Sequence, residues 1–147
     1  MGVIKTIKNS IKTKLEGLQY GDETAFAEVV SDTRISFDKY PAAAVIMNGQ
    51  PNRVSTNKQN ERTVEFLIIC YIQYEALPAN ESAAFDLAYD FNDLVVDALD
   101  DLTVAGVTLI TEPTQSGWEI YESAAGNVLG IMATVRIRYS HDIVNGI

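Results

Sequence analysis

The stretch Arg62–Tyr74 constrains the fold of this chain more than any other. Val64, Phe66, Ile68, Cys70 and Ile72 alternate onto one face, as period-two residues do in a β-strand. Leu67, Ile69 and Tyr71 make the middle of the other face apolar as well. A strand with one wet face would carry polar residues there. One that is apolar on both sides has to be central in its sheet and covered by further structure.

Two amphipathic helices are available to cover it. Residues 3–18 carry an apolar stripe of Ile4, Ile7, Ile11, Leu15 and Leu18, with Lys5, Lys8 and Lys12 beside it. Gly17 and Gly21 suit the stop of this helix. Asn80–Leu102 predicts a longer helix. Ala84, Leu87, Ala88, Phe91, Leu94, Val95, Ala98, Leu99 and Leu102 recur at three- and four-residue steps along one face. Asp86, Asp90, Asp93, Asp97 and Asp100 recur with the same steps on another face, and no Lys or Arg is interleaved. Like charges at these spacings repel by roughly 0.2–0.5 kcal/mol per pair, and Asp is a mediocre helix former. The bland reading of this ridge is a solvated face. The functional ones are a surface that keeps a polyanion from sticking and a surface that docks on basic residues.

Further strands are expected at Phe26–Val30, at Ala42–Met47 behind Tyr40-Pro41, at Val107–Ile110, at Trp118–Tyr121 and at Val128–Tyr139, with a turn through Glu112–Gly117. Asn48–Asn60 is polar and turn-rich and reads as a projecting loop or hairpin, with Asn48, Gln50, Asn52, Arg53, Asn57 and Lys58 as candidate contact residues. The order is helix, strands, helix, strands. It predicts one α+β domain over residues 1–147: a mostly antiparallel sheet with the two amphipathic helices packed on it. Arg136 and Arg138 share a face of the last strand and would pair with Glu61 or Glu65 if the strands are neighbours.

Charge narrows the function classes. The 147 residues carry a formal net charge of −9. Residues 1–20 hold four lysines against Glu16, or +3, and the remainder holds seven basic and nineteen acidic residues, or −12. So acidic a body argues against general affinity for nucleic acid or anionic membrane, though DNA could pass close by without being held. Cys70, the one cysteine, lies in an apolar run and reads as a core residue. No signal peptide and no apolar run of membrane-spanning length is expected.

Catalytic chemistry is poorly represented. His141 is the single histidine, near the C-terminus, and reads as an exposed tail residue; no triad with Ser140 or Ser123 is expected. Without a second His or any other Cys, no zinc site is expected. A straight helix spreads its carboxylates too far apart to enclose Ca²⁺. There is no phosphate-binding loop; Gly126 and Gly130 read as a turn and a close backbone approach. Met1–Thr6 matches the loose N-myristoylation pattern, which the acidic body opposes. Trp118 beside Gly117 reads as a core cap. No catalytic residue, metal or cofactor is expected.

The combination of a short basic amphipathic N-terminal helix, Phe37-Asp38-Lys39-Tyr40-Pro41-Ala42-Ala43 leading into a strand, and a polar loop resembles the tail terminator (tail completion) proteins of long-tailed bacteriophages. The Glu61–Glu75 strand (ERTVEFLIICYIQYE), the helix ending Val95–Leu102 and the closing Gly130–Tyr139 strand continue the likeness, which covers roughly residues 5–140 in order and spacing. The resemblance implies a non-enzymatic virion protein, assembled in the host cytoplasm. It would form a homohexameric ring that caps the tail tube, stops its polymerisation and meets a head-closure or neck connector protein. Its partners would be copies of itself, the major tail tube protein and that connector. DNA would pass through without specific binding, and no membrane is involved. The loop would reach the tube or a neighbouring subunit. The aspartate ridge would line the channel or face the Lys5, Lys8 and Lys12 stripe of the next subunit. The alternatives are another head–tail connector component, or a small dimeric α+β binding module that takes a ligand at a sheet edge.

Overall fold

The computed structural model describes residues 3–32, 37, 39–49, 60–74, 78–104, 107–123 and 126–141. In chain order the elements are α1 (Val3–Glu16), β1 (Gln19–Tyr20), β2 (Glu23–Thr24), β3 (Glu28–Val30), β4 (Ala42–Gly49), β5 (Asn60–Tyr74), α2 (Pro78–Asp100), β6 (Val107–Ser123) and β7 (Gly126–His141). The main sheet has the order β3-β4-β5-β7-β6. Every pairing in it is antiparallel except β3 with β4. This is the expected α+β fold.

β5 is the central strand, as its two apolar faces require. Phe66 lies opposite Met47 on one side and Val135 on the other. One face carries Val64, Phe66, Ile68, Cys70 and Ile72, all buried, and continues into Leu129, Ile131, Val135 and Ile137 of β7. Both helices lie on that face. α1 packs over β3 and β4, α2 over β5, β7 and β6, and the helices touch each other. Ile7, Ile11 and Leu15 of α1 and Ala88, Val95 and Leu99 of α2 are fully buried in this core. The second face of β5 is closed by a smaller cluster, in which Phe37 and Tyr40 sit over Ala42, Ala44 and Tyr71. The Phe37 and Tyr71 rings are 4.9 Å apart.

The edges depart from expectation. Glu112–Gly117 is no turn: β6 runs unbroken from Val107 to Ser123. It is an edge strand, so the N–H that Pro113 lacks need not be shared with a partner on the open side. The register shifts between Gln115 and Gly117, a bulge of the kind that bends edge strands, and Gly117 has φ +148°. Of Phe26–Val30 only Glu28–Val30 is strand. Gly17 follows α1 as anticipated, but Gly21, at φ +65°, turns the short β1–β2 hairpin instead. Asn48 and Gly49 belong to β4 and Asn60 to β5. His141 is not a tail residue: it ends β7, opposite Asn60 and Val107.

Candidate functional site

On the turn of α2, the residues that face the sheet are Ala84, Ala88, Phe91, Asn92, Val95 and Leu99, all buried. Stepping 100° per residue puts Asp86, Asp90, Asp93, Asp97 and Asp100 on the opposite side, and all five are exposed. The ridge is thus a continuous solvent-facing line of carboxylates. Among the described residues only Asp90 has an anchor: the Tyr20 hydroxyl, from the β1–β2 hairpin, donates to its Oδ2 at 2.9 Å. That hydrogen bond, followed by burial and by the Asp90 charge, raises the Tyr20 pKa. Tyr20 also meets the Phe91 ring edge-on at 5.0 Å, so the hairpin braces α2 from its α1 side.

The lysines of α1 do not answer the ridge within the chain. Lys5 is exposed, Lys8 and Lys12 are half-buried, and no ion pair joins them to an aspartate of α2. A cleft of about 670 Å³ explains why. It runs between α1 and the residues that follow α2, and is lined by Thr6, Ser10, Thr13 and Lys14 with Leu102 and Thr103. That flank of α1 faces α2, and Lys5, Lys8 and Lys12 lie on the other side of the buried stripe. The structure therefore keeps the two anticipated stripes apart.

The other flank of α2 carries a feature that sequence reading missed. Phe85 meets Trp118 of β6 edge-on at 5.1 Å, and Tyr89 lies 6.3 Å from Phe85. Trp118 is 52% and Tyr89 45% exposed. Trp118 is thus only half a cap: it closes the edge of the core and leaves an aromatic patch in solvent. The available signal was Tyr89, which falls outside both the apolar stripe and the aspartate ridge.

Arg136 does pair with Glu65. Its Nε and Nη2 donate to Glu65 Oε1 at 2.9 and 2.7 Å on the helix-free face. Exposure at Arg136 limits the pair to about 0.2–1 kcal/mol. On the same face the Tyr121 hydroxyl donates to Glu119 at 2.8 Å, and burial with that bond pushes its pKa up to about 12. Gln50, Asn52, Arg53, Asn57 and Lys58, and Gly2 of the myristoylation pattern, lie outside the described residues.

For covalent or metal chemistry the arrangement offers little. Ser123 and His141 stand at opposite ends of the β6–β7 pair, and fifteen residues of strand hold them roughly 50 Å apart. Among the described residues no three His, Cys, Asp or Glu side chains gather as a cation site. No described helix is long and apolar enough to cross a membrane.

No protein-family model and no curated protein sequence matches the chain. Its fold, however, is shared. A chain of the virion of a native gene transfer agent particle superposes with a TM-score of 0.58 at 15% identity, over 95% of this chain and 98% of that one. The two agree in fold across nearly their whole lengths.

Proposed function

We propose that this chain is a structural protein of a phage-like virion and acts as a tail terminator: a non-enzymatic, six-membered ring that ends the tail tube and joins it to the head connector. The observation that carries the reading is the fold shared with a chain of a gene transfer agent virion, end to end in both proteins. The resemblance of the Tyr40-Pro41 approach, the long β5 and the closing β7 to tail terminators supplies the finer assignment. Charge supports it. A body at −12 beyond residue 20 suits a passage that DNA must traverse without adhering.

Deleting the gene from the genome that encodes it tests the reading. Electron micrographs should show filled heads apart from tails of uncontrolled length. Unjoined heads beside tails of normal length would move the assignment to a head-closure component. Complete, normal particles would contradict a structural role altogether.

A further inference from the structure

The two edges of the molecule carry surfaces of complementary charge that are not paired with each other among the described residues. α1 sits over β3 and β4 at one edge, with Lys5, Lys8 and Lys12 on the flank turned away from α2. An exposed methionine, Met47, lies on the helix-bearing face of β4 at this same side. At the opposite edge stand the Trp118 and Tyr89 rings, with exposed Asp86 and Asp93 of α2 and exposed Glu122 of β6 on the same helix-bearing face. Each edge therefore has an apolar centre beside charges of one sign, the anatomy of a protein interface.

We infer that these edges bind each other in successive copies of the chain, the basic α1 flank of one against the acidic, aromatic edge of the next. The occupant is a second copy because the charges match and because, among the described residues, no ion pair joins Lys5, Lys8 or Lys12 to the aspartates of the ridge. The two surfaces differ, so the contact is head-to-tail. Such a contact closes into a ring when its rotation allows, whereas a two-fold dimer would need one self-complementary patch. The inference rests on the ring reading above and names the faces that make the ring.

Charge-swapped variants test it by native mass spectrometry and sedimentation at low salt. K5E/K8E/K12E and D86K/D93K should each weaken association by roughly a hundredfold, since like charges then meet across the contact. Mixed one to one, they should reassemble into rings of alternating subunits, which misfolded variants could not do. W118A should weaken association of the wild-type surfaces by at least tenfold, as a central aromatic anchor does. Wild-type rings that persist in both charge variants would overturn these faces and leave the ring standing. A wild-type chain that stays monomeric at high concentration would overturn the contact. A wild-type closed dimer would overturn both the contact and the ring.

Discussion

At Gly126, with φ +125°, a Cβ would lie 2.9 Å from the backbone oxygen of Tyr74. At Gly130 the Cβ would meet only side-chain atoms of Ile69, Tyr71 and Tyr121, at 3.3–3.4 Å, in an ordinary backbone conformation. Gly126→Ala should therefore destabilise the fold by about 2–4 kcal/mol through backbone strain and collision. Gly130→Ala should cost about 1 kcal/mol, because side chains can yield. Urea midpoints order the two, and the reverse order would contradict the geometry. The spacing of these glycines suggested close approach from sequence alone; which of them collides with backbone depends on strand register, which only the fold supplies. Cys70 was equally legible as core, and burial raises its thiol pKa from 9.0 to about 12. The folded chain keeps a proton that the unfolded chain releases above about pH 9. The thiol's contribution is thus intact below pH 9 and declines by about 1.4 kcal/mol per unit as pH rises toward 12. Urea unfolding between pH 8 and 10.5 should show a steeper loss for wild type than for Cys70→Ala, and parallel losses would refute the shift.

At the scale of elements, α2 was legible to within two residues at each end because its apolar period is unbroken. β5 was legible because strands apolar on both faces are central. β6 was not. Glu112-Pro113 and Gly117 are turn residues by local chemistry, and only a place at the sheet edge, with a bulge to absorb the extra residue, lets a strand run through them. The aromatic patch escaped notice for a related reason, since Phe85 and Trp118 meet only after β6 is laid beside β7. α2 itself is electrostatically self-opposed. Its last turn holds no basic residue and ends in Asp100, at the negative pole of the helix dipole. Asp100→Lys, exposed and free to pair with Asp97, should stabilise the fold by about 0.5–1 kcal/mol in low salt and by less in high salt. A loss of stability would mean that Asp100 has a partner within the chain. Leu99, in the same turn but facing the sheet with no exposure, should cost about 2–5 kcal/mol when cut to Ala.

At the scale of the whole molecule, the architecture places basic residues of α1 at one edge and the acidic ridge of α2, beside exposed Trp118 and Tyr89, toward the other. The α+β order was readable from the alternation of periods along the chain. The separation of Lys5, Lys8 and Lys12 from the aspartates was not, because it follows from which flank of α1 meets α2. A chain so divided is suited to joining copies in series, and its fold is found in a virion. Native mass combined with negative-stain class averages of the purified chain, over a range of protein concentration, tests that account most directly. It predicts six-fold rings with an open centre that grow in proportion as concentration rises. A two-fold dimer that persists unchanged across the whole range would contradict it.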